Sequence, residues 1–266
     1  MKSVAREATL LWRSRALLVV LVRREVAARH AGTALGIAWP YLQPLLALAA
    51  YFLVFDIVFK FRMDAHAPTS RVGAYLIVGA LPWMAFCDAV SRGMTSLLEA
   101  GSILQKNALP PVLFPVRSAL ASSAIYCPLL LLVALAYTPY HHFAAATVAL
   151  LGLLILQTLL CTVLGYFLAI LSAALRDTAQ IVGFLLTVGI YLSPALFPVT
   201  LFPEQWRWTL WANPMTGLML GYQSVLLKGA WPPADVWLFS IAWIAVLTVL
   251  LDSVVRRSKD QLIDWL

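Results

Sequence analysis

Residues 181–199 read IVGFLLTVGIYLSPALFPV and are followed by EQWRWTLWA at 204–212 and NPMTGLMLGYQSVLLKG at 213–229. The first run approaches the ~20 mainly apolar residues that a membrane-crossing helix needs, whereas the other two are too short to cross as helices. Short aromatic-rich helices beside a span fit an entrance or exit lined by protein. They direct attention to transport.

The rest of the chain has the composition this requires. Hydrophobic residues make up 62% and charged residues 12%, with a mean hydropathy of +0.86. No soluble domain of 266 residues could cover that composition with a polar surface. The N-terminal thirty or so residues are basic but lack a small-residue cleavage site, so no signal peptide is expected there. Six segments qualify as spans, at 34–59, 72–91, 112–137, 143–172, 178–198 and 235–254. Lipid cannot satisfy an open sheet edge, and no ten-residue alternation marks a barrel, so the expected fold is an all-α polytopic membrane protein with six transmembrane helices.

Six spans put both termini on one side, and the basic residues choose it. Lys2, Arg6, Arg13, Arg15, Arg23, Arg24 and Arg29 precede the first span. Arg92, Lys106, Arg117 and Arg176 flank the second and fourth linkers, and Arg256, Arg257 and Lys259 lie in the tail. Only Lys60, Arg62, Arg71, Arg207 and Lys228 remain for the other face, so both termini are read as cytoplasmic. The same asymmetry accounts for the net charge of +7 without nucleic acid. Trp39, Tyr41, Trp83, Tyr137, Tyr140, Trp231 and Trp237 lie where interfacial anchors are expected.

Two cytoplasmic pieces stand out. The run ALLVVLV at 16–22 is too short to span and is flanked by arginines, which fits a helix lying in the interface. In MTSLLEAGSILQKNALPP at 94–111, a helical period puts Thr95, Glu99, Ser102 and Lys106 on one face and Leu97, Ala100, Leu104 and Ala108 on the other. Pro110 and Pro111 end it, giving a short amphipathic helix that serves as a membrane-resting connector or a docking knob.

Catalytic signatures are missing. The chain has no GxxxxGK[S/T], HExxH, GxSxG or paired Cys-x-x-Cys. Cys87, Cys127 and Cys161 read as buried thiols, and His141 and His142 as a solvated turn, so no metal or catalytic residue is assigned. Asp56 and Asp88 are the main carboxylates within the spans; Asp56 reads as interfacial, and Asp88 lies one turn from Arg92. Energy for transport is therefore expected from another chain.

Four stretches together carry a resemblance: LVRREVAARHAGTALGIAWPYLQPLL at 21–46, EAGSILQKNALPPVLFP at 99–115, LRDTAQIVGFLLTVGIYLSPALFPV at 175–199 and PEQWRWTLWANPMTG at 203–217. In these the chain resembles the membrane subunit of ABC-2-type polysaccharide exporters, which move O-antigen, capsular polysaccharide and teichoic acid. His30 departs from the aromatic common in that family. The resemblance implies one ABC-2 transmembrane domain over 1–266, with a cytoplasmic or interfacial segment at 1–33, the membrane region at 34–254 and a cytoplasmic tail at 255–266. It implies that Glu99, Ser102, Leu104, Gln105, Lys106 and Asn107 form a coupling helix seated in an ATP-binding subunit. Arg23, Arg24 and Glu25 would lie in an interfacial gate helix, and Arg176 and Asp177 form a cytoplasmic pair. Two short outer re-entrant helices would place Trp206, Trp208, Trp211 and Tyr222 along the glycan path.

The implied assembly is a homodimer in the bacterial inner membrane above two ATP-binding subunits, which carry the ATP and Mg; this chain holds no cofactor. The cargo would be a lipid-linked polysaccharide, foremost O-antigen. An ABC-2 exporter of a drug or simple lipid is the alternative. An integral-membrane enzyme acting on polyprenyl-linked sugars is a third reading, and it requires clustered acidic or histidine residues at one interface.

Overall fold

The computed structural model describes residues 2–29, 32–63, 67–107, 109–141, 145–258 and 261–266, and every extended regular element among them is helical. His30, Ala108, His142 and Lys259 fall outside the described residues. Helices α1 (Lys2–Arg13) and α2 (Arg15–Ala28) adjoin at Ser14. Helix α3 (Trp39–Tyr51) continues as a π-helical stretch, Phe52–Val58, to make an apolar rod of 20 residues. Then come α4 (Val72–Glu99), α5 (Gly101–Lys106), α6 (Leu113–His141), α7 (Ala149–Ala174), α8 (Thr178–Gly189), α9 (Arg207–Trp211), α10 (Met215–Lys228), α11 (Ala234–Ser258) and α12 (Leu262–Trp265).

Among the described residues five helical rods are long and apolar enough to cross a membrane, and they coincide with the first, second, third, fourth and sixth expected spans. The fifth differs. Over 178–198 only Thr178–Gly189 is helical, and at 1.5 Å per residue it reaches ~18 Å against a hydrocarbon core of ~30 Å. The chain then turns through 190–197. Pro194 and Pro198 lack the amide that a continuing helix needs, and Ser193 Oγ donates to the Ile190 carbonyl at 2.7 Å inside the turn. Hydropathy ignores these breaks because the residues around them, Ser193 apart, are apolar up to Val199.

Helix α4 is the axis of the bundle. Its apolar window is 72% buried, against 11% for the α3 rod, and it packs on α6, α7, α10 and α3. Close approach to α7 depends on paired glycines: a Cβ on Gly93 would stand 3.1 Å from the Cα of Gly165. Buried polar side chains pair across the bundle, as a low-dielectric interior requires. Gln157 on α7 donates to the Pro82 carbonyl of α4 at 2.9 Å and accepts from Tyr222 on α10 at 2.7 Å. The Pro194 carbonyl in the 190–197 turn accepts from Tyr75 on α4 at 2.7 Å and from Gln223 on α10 at 2.6 Å.

The same turn lies against Gly79 of α4, where a Cβ would stand 2.7 Å from the Ala195 Cα and 2.9 Å from its carbonyl carbon. Backbone, not a movable side chain, fills the space. Gly79→Ala is therefore expected to cost about 1–3 kcal/mol. A thermal unfolding midpoint equal to wild type in purified protein would show that the turn yields freely.

At the opposite end of the bundle the two chain ends meet. Asp252 Oδ1 accepts from the backbone amides of Ser3 at 3.0 Å and Val4 at 3.1 Å, capping the start of α1, while Asp252 Oδ2 lies 3.3 Å from Arg256 Nε. Helix α12 rests on α7 and α5, with Leu262 buried.

Candidate functional site

At the basic end of the bundle, α2 is tied to the core by charge. Arg29 leaves its C-terminal end with a side chain only 3% exposed. Its Nη1 donates to Asp88 Oδ2 on α4 at 2.7 Å, and its Nη2 donates to Ser122 Oγ on α6 at 2.9 Å. Ser122 in turn donates to Asp88 Oδ2 at 2.5 Å, and Arg92 Nε to Asp88 Oδ1 at 2.9 Å. One turn back on α2, Glu25 pairs with Arg117 Nε of α6 and lies 3.7 Å from Arg29 Nη2. Arg117 also sits 5.3 Å from the centre of the Phe114 ring. Three cations and two carboxylates thus join α2, α4 and α6, and burial makes the pairing of Arg29 with Asp88 matter most. Glu25 and the Asp88–Arg92 pair were legible in the sequence. The roles of Arg29, Arg117 and Ser122 were not, since nothing in the sequence reports contacts across 59 or 93 residues. Arg23 and Arg24 point outward, exposed, and take no part in the network described.

Thirteen residues beyond its start of charge pairing at Asp88, the chain passes α5. The amphipathic linker is not one helix. Helix α4 runs on past residue 91 to Glu99, because Ser91–Glu99 holds no residue that stops a helix, and Thr95 Oγ1 donates to Glu99 Oε1 at 2.6 Å. The helix breaks at Ala100 and restarts as the six residues of α5. The faces nonetheless fall as the period requires: Leu97, Ala100 and Leu104 are buried, whereas Glu99, Ser102, Gln105, Lys106 and Asn107 are exposed. Asn107 Nδ2 closes the C-terminal turn on the Ile103 carbonyl at 3.1 Å. Behind α5, a Cβ on Gly101 would lie 2.9 Å from the Leu266 carbonyl oxygen, so the chain's last residue backs the helix. Arg176 and Asp177 are exposed in the turn between α7 and α8.

The other end of the bundle carries the short aromatic helices. Trp206 and Trp208 are 53% and 63% exposed, while Trp211 packs edge-on against Phe239 of α11 with centroids 4.9 Å apart. Asn213 joins this region to the turn after α8, donating from Nδ2 to the Leu192 carbonyl at 3.3 Å and accepting at Oδ1 from Met215 N at 3.0 Å. Tyr222, expected along with these rings, is fully buried on the core side of α10, with its hydroxyl on Gln157. Helices α9 and α10 are present as short helices, of five and 14 residues.

A family model described as ABC-2 type transporter matches residues 16–227, covering α2, the charge network, α5 and most of α10. The chain belongs to the ABC-2 type transporter family. Over 258 residues this ABC-2 protein is 31% identical to the O-antigen export system permease protein RfbA of Myxococcus xanthus, covering 94% of this chain and 95% of that one. It is 20% identical over 217 residues to the RfbA permease of Klebsiella pneumoniae, covering 80% and 81% of the two chains. It is also 21% identical over 245 residues to the polysialic acid transport protein KpsM of Escherichia coli, covering 91% and 92%. In this ABC-2 chain the residues that the sequence assigned to gate and coupling helices belong to neighbouring parts of one structure: α2 bonds to α4, and α4 leads directly into α5.

Proposed function

We propose that the chain is the membrane permease of an ATP-driven exporter of a lipid-linked polysaccharide, foremost O-antigen, in the bacterial inner membrane. The observation that carries this reading is the match over 94% of the chain to an O-antigen export permease. The cargo class is supported by the second type of relative, which is named for polysialic acid transport. Two copies of the chain form the conduit, and two ATP-binding subunits dock on the exposed ridge Ser102, Gln105, Lys106 and Asn107. Motion received there passes into α4 and, through Asp88 and Arg29, to α2, which gates the entrance; Arg23 and Arg24 face the anionic headgroups. Helix α8 and the turn after it together complete the fifth of six crossings, so that both termini are cytoplasmic in accord with the basic residues. The apolar outer faces of the α3 rod and α8 are the surfaces available to a second copy.

At the outer end, Trp206 and Trp208 offer exposed rings to the apolar CH faces of sugars, while Trp211 holds the helix to the core. Trp206→Ala/Trp208→Ala is expected to lower glycan export about tenfold while leaving thermal stability and ATP hydrolysis near wild type, since neither ring is buried. Unchanged export in the double variant would return both rings to the role of lipid anchors.

The decisive assay is ATP-dependent uptake of radiolabelled lipid-linked glycan into inverted vesicles that contain the chain and its ATP-binding partner. Uptake that requires ATP and both proteins is the expected result. ATP hydrolysis with no glycan movement, together with movement of a drug or simple lipid, would overturn the cargo assignment.

A further inference from the structure

We propose that a cavity of about 760 Å³ at the basic end of the bundle, between α1, α5, α7, α11 and α12, binds an anionic phospholipid, its phosphate held by Arg6 and Arg256, while Lys106 on α5 is left to the ATP-binding partner. The inference rests on the orientation proposed above, which puts this end in the cytoplasmic leaflet. The two cations come from separate helices, α1 and α11, and line one space. The volume lies within the ~300–1,000 Å³ typical of pockets that enclose a small ligand. Basic pockets between transmembrane helices at this face are suited to anionic headgroups.

The walls identify a lipid rather than a soluble anion. Leu10, Ile170, Val255, Leu262 and Ile263 line the same space as the cations. Tyr166 lines it too, eight residues before the end of α7 and so ~12 Å inside that end. An acidic loop of a soluble partner would satisfy the cations and leave these apolar walls uncovered, whereas a phospholipid presents both a phosphate and an acyl chain. Arg256 is largely exposed and only partly committed to Asp252 at 3.3 Å, so it can turn a donor toward a phosphate.

Glu7 also lines the cavity and opposes an anion. Its Oε2 is buried without a hydrogen-bond donor among the described residues. Burial raises its pKa, against the pull of neighbouring Arg6. The carboxyl is thus already biased toward the neutral form that would tolerate a phosphate beside it. It supplies a test of opposite sign to the cations.

The full-length chain, reconstituted in nanodiscs of equal parts phosphatidylglycerol and phosphatidylcholine and re-extracted in mild detergent, is analysed for retained lipid by mass spectrometry. Wild type is expected to retain phosphatidylglycerol selectively. Arg6→Gln should retain about fivefold less, the equivalent of ~1 kcal/mol per cation, and Glu7→Gln about twofold more. Arg13→Gln, a cation outside the cavity, should match wild type. Equal retention in Arg6→Gln and Arg13→Gln, or a loss in Glu7→Gln, overturns the proposal. So does release of the ATP-binding subunit by Arg6→Gln with lipid retention unchanged, which would assign the cavity to protein docking. Labelling of a cysteine appended after Leu266 by a membrane-impermeant thiol reagent in spheroplasts reads the orientation separately, so a wrong orientation and an absent lipid site give different results.

Discussion

Asp88→Ala is expected to abolish export and to lower stability by about 3 kcal/mol, the cost of stranding the buried guanidinium of Arg29. Asp88 accepts from Arg29 at 2.7 Å, Ser122 at 2.5 Å and Arg92 at 2.9 Å, so its loss unties three elements at once. The effects are unequal. Arg92 is 42% exposed and regains water, so its share is small. Arg29 is 3% exposed and keeps only Ser122 and a distant Glu25. A double variant, Asp88→Leu/Arg29→Met, should be more stable than either single change, because it leaves no unpaired charge, yet it should still fail to export because α2 is no longer tied to α4. Thermal unfolding and vesicle uptake measured on the four proteins of that cycle isolate the pair. Wild-type uptake by the double variant would show that the ion pair holds structure only.

Leu104→Asp is expected to remove the ATP-binding partner from the complex, reducing its copurification to about a tenth or less. Leu104 is 6% exposed and is the one inward anchor within α5 apart from Gly101. Loss of a buried leucine costs about 2–5 kcal/mol even to alanine, and a carboxylate adds its own desolvation. A helix of six residues has little else to hold its shape. Lys106→Glu serves as the contrast. Lys106 is exposed, so the fold should survive with an unchanged unfolding midpoint while ATP hydrolysis stimulated by the permease falls. Normal copurification and normal stimulated hydrolysis in both variants would move the docking surface away from α5.

The sequence made some of this legible and hid the rest for physical reasons. Membrane residence, the five long rods and the two faces of the linker all follow from composition and period, which are local properties. The Asp88–Arg92 pair follows from helical spacing. The α4 boundary was missed because the polar residues after Ala89 end an apolar run without ending a helix. The close of α8 was missed for the converse reason: the chain turns while its residues stay apolar, and Pro194 and Pro198 were the available signals. Arg29 with Asp88, Tyr222 with Gln157 and Gly101 with Leu266 join residues far apart in the chain. Such pairs exist only once the helices have packed.

Helix α4 runs from the turn held by Tyr75 to the break before α5 and has Pro82 inside it. At that proline the rod is softest, and there Gln157, itself held by Tyr222, grips its carbonyl. In the orientation proposed above, the two faces of the membrane would therefore be joined by a single rod pinned at one joint. While that contact holds, a push at one face of the proposed exporter would arrive at the other, and inlet and outlet would keep step. With the contact released, each half could move alone, and both doors could stand ajar together. A conduit wide enough for a polymer must avoid that state, because ions would drain through it. In such an exporter the small polar cluster around Pro82 would guard the membrane's electrical seal.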